Sequence, residues 1–329
     1  MQKRFTRREF VLSSAGLVAT VAPFSASSQS SGNTVLKIMV PFPAGGSADF
    51  VARLLAEKLK DELGRPVIVD NRPGAGTRLA PEVLKNSPPD GNTILLSPMD
   101  PMIIAPLIDD NLRYNPVKDF VPITDIVGFQ FGLAVKGDSP IKNIDQLAQA
   151  ARKDPSAGNL GVTALGTTLH FLALELLAKA HIQGRLIPYR GGQQMVTEIL
   201  GGQLASGMDI TPTLMEQHRS GKLRVLAVSG QRRADSLPDV PTMGELGHPD
   251  LAVSGKYMVY APARTPREEI AKLNQALRKV IAFPDVRQKL GIAGFDLVPG
   301  MTPEETSKFS ADAVARWTPV VKASGFKGE

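Results

Sequence analysis

Three short stretches gather residue types that can act together on an anion. Pro41-Phe42-Pro43-Ala44-Gly45-Gly46 follows an apolar run and leads into Ser47 and Asp49 at the head of an amphipathic pattern. A strand, a glycine turn and a helix in that order leave backbone N–H groups unpaired at a positive helix end, which seats an anion. Gly45 and Gly46 permit positive φ and close backbone approach, and Ser47 adds a hydroxyl. The same device returns within residues 158–170, where Gly166-Thr167-Thr168 opens a helix carrying His170. There the Thr167 and Thr168 hydroxyls and the local N–H groups form a second seat, unless Thr167 serves only as a helix cap. Asp209 ends a strand ahead of Ile210-Thr211-Pro212-Thr213. It either accepts a hydrogen bond from a ligand hydroxyl, amine or bridging water, or caps the following helix. Asp49 would repel an anion, so its expected work is to cap the helix or brace the loop with its carboxylate turned away. Ala75, beside Gly76 and Thr77, is expected to line the same space.

Catalytic machinery is not legible beside these seats. No Gly-x-Ser-x-Gly elbow, phosphate-binding Walker loop or full dinucleotide fingerprint occurs. The four histidines, His170, His181, His218 and His248, lack metal-ligand spacing. Cysteine is absent, which removes thiolate chemistry, disulfides and cysteine zinc sites. No catalytic residue, metal or cofactor is therefore assigned, and two anion seats imply a protein that holds an acid. Nucleic acid is an unfit partner. The first nine residues contribute +3 of the net charge of +6, and aromatic residues make up only 5%.

Residues 1–30 read as an export signal. Lys3, Arg4, Arg7 and Arg8 precede an apolar stretch of small residues over 10–22, too short to span a membrane. Thr6-Arg7-Arg8-Glu9-Phe10-Val11 adds a twin-arginine pattern, the mark of export in the folded state. With no cysteine to lipidate, the processed chain is expected free in the periplasm.

Alternating strands and helices position these seats. Strand patterns fall at 35–40, 66–70, 93–97, 121–136, 160–163, 185–188, 205–210, 224–229, 253–261 and 295–298. Helical patterns fall at 47–63, 77–86, 101–108, 144–153, 167–180, 192–200, 212–220, 266–282, 284–290 and 302–324. Such alternation predicts an α/β fold with mostly parallel sheets. Two extended runs, 121–136 and 251–261, flank a compact βα block. They predict a discontinuous first lobe, 31–132 with 252–329, and an inserted second lobe, 133–251. A cleft between lobes is where a ligand binds, and crossing strands supply a hinge.

These residues resemble the Bug family, the periplasmic solute receptors of tripartite tricarboxylate transporters, over nearly all of 35–325. The landmarks are Val40-Pro41-Phe42-Pro43-Ala44-Gly45-Gly46-Ser47-Ala48-Asp49, Asp70-Asn71-Arg72-Pro73-Gly74-Ala75-Gly76, Pro89-Asp90-Gly91-Asn92-Thr93, Gly166-Thr167-Thr168-Leu169-His170 and Leu237-Pro238-Asp239-Val240-Pro241-Thr242. Each is weak alone; their order and spacing are specific. The resemblance implies a two-lobed periplasmic binding protein of the Venus-flytrap kind, each lobe a mostly parallel sheet flanked by helices. It implies a monomer that captures a small carboxylate, a di- or tricarboxylate or an aromatic acid, and delivers it to integral-membrane transporter subunits. A sensory co-receptor for a membrane signalling protein is the alternative reading, and a hydrolase a remote one. The family pattern also has a histidine at His170 and an acid at Asp209. Phe42, Ala44 and Leu165 complete the expected ligand-binding set. His170 either joins the ligand or packs to brace its loop.

The chain departs from the family in places. Pro98-Met99-Asp100-Pro101-Met102 replaces a run of small polar residues after the third strand. Met99, Met102 and Phe131 are expected to make an apolar, adaptable wall. Lys256 stands where the family often has tryptophan; it adds a cation near the cleft or lies on the surface.

Overall fold

The computed structural model describes residues 34–189 and 191–328. The export segment expected at 1–30 lies outside the described residues. In the first third of the chain, β1 (Leu36–Val40), α1 (Ser47–Leu63), β2 (Val67–Asn71), α2 (Leu79–Lys85) and β3 (Thr93–Pro98) lead to three one-turn helices, α3 (Asp100–Ile103), α4 (Ala105–Ile108) and α5 (Pro116–Asp119). The middle holds β4 (Phe120–Lys136), α6 (Ile144–Lys153), β5 (Leu160–Thr163), α7 (Thr168–Lys179), β6 (Leu186–Tyr189), α8 (Gly192–Gly201), β7 (Ser206–Ile210), α9 (Thr211–Arg219) and β8 (Leu223–Val228). Then come β9 (Ser254–Pro262), α10 (Arg267–Ala282), α11 (Pro284–Ile292), β10 (Asp296–Leu297) and α12 (Pro303–Ser324).

Two sheets share β4. Its first half pairs antiparallel with β9, from Phe120 opposite Pro262 to Gln130 opposite Ser254. From Phe131 onward it pairs antiparallel with β7, and from Gly132 with β8. The strand thus changes sheets between Gln130 and Phe131. Away from this crossing the pairs are parallel: β1 with β2 and β3, and β5 with β6 and β7. The antiparallel pairs cluster at the crossing because the chain leaves the first sheet on β4 and must return along it on β9. The return is tied down where Val253 N–H donates to the Ser229 carbonyl at 2.6 Å.

Burial explains why the elements hold. β4 is buried over nearly its whole length, since sheet and helix cover both faces. α1 buries Val51, Ala52, Leu55 and Leu59 along one face, the helical spacing that docks it on a sheet, and it packs against α10. α12 opens with the expected capping box, Thr302 and Glu305 each satisfying the other's backbone N–H. Among the described residues, no helix is long and apolar enough to cross a membrane.

Candidate functional site

The loops at the carboxyl ends of β1, β3, β5 and β7 converge on a cleft of about 990 Å³. That end of an α/β sheet is where ligands bind, because helix N-termini gather there. Phe42, Ala44, Gly45, Gly46 and Ser47 line one side of it. Thr167 and Asp209 line the other.

The first seat is built by a braced turn. Gly45 has φ +87°, the left-handed region that favours glycine, and turns the chain into α1. Asp49 is buried beneath the turn. Its carboxylate accepts from the Gly45 N–H at 2.9 Å, Arg53 Nε at 2.8 Å and Asn71 Nδ2 at 3.0 Å. Burial works to raise this carboxyl, but those hydrogen bonds outweigh it and hold it below the ordinary range. Asp49 is thus committed to the loop. Ser47 Oγ remains on the cleft wall, where it shares a 2.9 Å hydrogen bond with the Tyr257 hydroxyl from β9.

The second seat is built differently. Gly166 has φ +74°, the left-handed region that favours glycine, and a Cβ there would press on the tip of Ile108. Thr167 stands at the N-cap of α7, yet its hydroxyl donates to the Ala164 carbonyl at 2.8 Å and accepts no helix N–H. Thr168 is fully buried, and its N–H donates to Asp100 Oδ1 at 2.5 Å. His170 is buried too. Its Nδ1 accepts from the Gly166 N–H at 3.2 Å, and its ring packs against Phe171 and Phe326. Burial lowers its pKa to about 4, so the imidazole is neutral at neutral pH and braces the loop.

Asp209 closes β7 with its carboxylate at the cleft. Oδ1 accepts from the Ile210 N–H at 2.8 Å and the Thr163 hydroxyl at 3.1 Å. Oδ2 lies hard against Gly192 at the start of α8, where any Cβ would collide. Burial pushes the carboxyl up to about 6, against the pull of the Ile210 N–H and the Thr163 and Thr213 hydroxyls. The residue is an acceptor in an enclosed, largely apolar space.

Several expected residues lie elsewhere. Leu165 and Gly166 face a second, smaller cavity of about 300 Å³ beside the C-terminal Phe326. Ala75 is exposed on a short turn and is not among the cleft walls. Met99 and Met102 are buried in the core, while Phe131 does line the cleft. Lys256 points away from the cleft and pairs with the buried Asp125. Sequence reasoning passed over Asp100, Phe129, Tyr257 and Phe295 as site residues, though all four line the cleft. Asp100 carries the one signal that could have found it, an acid placed directly after a strand whose neighbours end in seats.

A family model described as the tripartite tricarboxylate transporter family receptor matches residues 51–326. The chain belongs to this receptor family. It is 33% identical to Protein BugT of Bordetella pertussis over 293 residues, which cover 89% of this chain and 90% of BugT. The structure of periplasmic binding protein BugD is similar, with TM-score 0.81 and 30% identity over 90% of this chain and 99% of that one. The structure of R. palustris Rpa4515 with adipate is also similar, with TM-score 0.82 and 28% identity over 89% of this chain and 98% of that one. The family is one of solute-binding receptors, not enzymes, and the fold is that of two-lobed periplasmic binding proteins. In this receptor β4 joins the two sheets, and residues following strands of both line the cleft.

Proposed function

We propose that the receptor captures a small organic acid in the cleft, in the periplasm, and delivers it to the membrane subunits of a tripartite tricarboxylate-type transporter. The supporting observation is the N-terminus of α1, whose Gly46 and Ser47 line the cleft while its own acid is turned into the loop. Neutral N–H and hydroxyl donors hold a carboxylate firmly without a fixed counter-charge, which suits release to a partner. Asp209 stands across the cleft as an acceptor for a hydroxyl or amine of the ligand. The similar protein Rpa4515 holds adipate. The basic, twin-arginine start of the chain supports export.

A calorimetric and thermal-shift screen of the purified protein tests this, using malate, citrate, adipate, glutamate, benzoate and nicotinate. A ligand at a hundred times its Kd adds about 2.7 kcal/mol, which raises the Tm of a chain this size by roughly 5 °C. At least one acid is expected to do so, and Ser47→Ala to diminish the shift. A flat response across the panel overturns the reading.

A further inference from the structure

The helices that open onto the cleft from the second sheet, α7, α8 and α9, already have the protein's own carboxylates at their N-terminal ends, Asp100 at α7 and Asp209 beside both α8 and α9. Asp100 belongs to α3, after β3 of the first sheet, yet its Oδ1 reaches the Thr168 N–H at the head of α7 at 2.5 Å. Thr168 is wholly buried there, and its hydroxyl has no hydrogen-bond partner of good geometry. Burial raises the Asp100 pKa, and the Thr168 N–H and hydroxyl offset that only in part. At α8, Asp209 Oδ2 sits against Gly192. Among the described residues lining the cleft, Arg219 is the only cation, and it sits in the last turn of α9 with Nη2 donating to the Ser236 carbonyl. A ligand carboxylate at α7 would meet Asp100 at contact range and would have to displace a hydrogen bond already made. The α1 end differs. Its acid is spent on Gly45, Arg53 and Asn71, and Ser47 is open to the cleft. Between the two ends the walls are apolar, with Phe42, Phe129, Phe131, Leu169 and Phe295.

We propose that Asp100 fills the α7 seat as a built-in carboxylate, so that the cleft selects acids with one carboxylate and an apolar body over dicarboxylates of the same length. This rests on the organic-acid reading above and narrows it. The ligand's carboxylate sits at Ser47, and its apolar part lies along the phenylalanines.

Two matched pairs of probes test it by titration calorimetry: hexanoate against adipate, and benzoate against terephthalate. The parent protein is expected to bind the monoacid of a pair at least about tenfold more tightly, the scale of one displaced charge-assisted hydrogen bond. Asp100→Ser empties the seat and is expected to bring the diacid level with or above its monoacid. Asp100→Asn keeps the shape and an acceptor oxygen without the charge, and its preference is expected to fall between the two; it serves if the serine variant does not fold by circular dichroism. A parent protein that prefers the diacids, or a ratio unmoved by both substitutions, overturns the role of Asp100 and leaves the organic-acid reading standing. Absence of binding by all four probes overturns the selectivity proposal, and the organic-acid reading falls with it only if the wider panel above is flat as well.

Discussion

Ser47 Oγ and the Tyr257 hydroxyl share a hydrogen bond of 2.9 Å across 210 positions of chain. Ser47 opens α1 at the first seat, and Tyr257 lies on β9, a strand that pairs with both β3 and β4. The contact ties the orientation of the seat's hydroxyl to the strand on which the chain returns to the first sheet. Burial raises the Tyr257 phenol well above its ordinary range, so it stays protonated and can donate.

From this pair the first prediction concerns affinity. Ser47→Ala removes a donor to a charged group and should weaken binding of the acid found by the screen roughly 10- to 100-fold, the equivalent of about 1.5–3 kcal/mol. Tyr257→Phe removes only the group that orients it and should cost about two- to tenfold. Titration calorimetry on both variants checks the order; a Tyr257→Phe loss larger than that of Ser47→Ala would place the ligand's carboxylate on the tyrosine.

The second prediction concerns stability. Lys256 Nζ pairs with Asp125, whose other oxygen accepts the Met301 N–H at 2.8 Å, and the ammonium lies 5.4 Å from the Phe309 ring centre. Asp125 is almost fully buried. Lys256→Ala leaves that carboxylate without its partner and should cost about 3 kcal/mol in urea unfolding. The double variant Asp125→Asn with Lys256→Met should lose less than the two single changes summed, because no lone charge is left inside. Additive losses would show that the two groups act independently.

Local chemistry was enough to read much of this fold, and the limits are equally physical. α1 is found at 47–63 because a glycine turn starts it, Gly64 stops it and its buried positions repeat at helical spacing. A single helix is expected over 101–108, but the chain breaks into α3 and α4 around Ile104. Pro106 explains the break: it has no N–H for the ladder, and its ring opposes the carbonyl four residues back. α5 is one turn long, too short for periodicity, although Asn115 before Pro116 is a cap signature and its side chain does accept from Val117 and Lys118. The glycine seats were legible because glycine is a local requirement. The reach of Asp100 to Thr168 joins residues 68 positions apart, and only the packing of two sheets brings them together.

The third prediction is a pH dependence. Asp209 has its carboxyl raised by burial from 3.8 to about 6 in the fold. The folded chain therefore binds this proton more tightly than the unfolded chain. The stability it lends is fully present below pH 3.8 and is lost as pH rises through 6. Two units amount to about 3 kcal/mol. Asp209→Asn cannot lose a proton, so relative to the parent it should gain about that much between pH 4 and pH 7. Urea unfolding of the two proteins across this range checks it, and a constant difference would mean that Asp209 titrates normally.

The fourth prediction joins the C-terminal tail to the second seat. His170 sits between Phe171 and Phe326, with ring centres 5.0 and 4.7 Å away, and burial takes its pKa from 6.5 to about 4. The sign here is opposite to that of Asp209. The neutral imidazole contributes stability that is whole above pH 6.5 and is lost as pH falls through 4. Phe326 comes from the residues after α12, where the Gly328 N–H donates to the Ile108 carbonyl at 2.8 Å. Phe326→Ala should admit water to the imidazole and move its midpoint upward toward 6.5, as read by NMR titration of the ring Cε1–H. The same change should flatten the loss of stability between pH 6.5 and 4, because the folded and unfolded chains then bind the proton more equally. A midpoint that stays near 4 would assign the burial to Phe171 and the core behind it, and would leave the tail no hold on the loop that ends at Thr168.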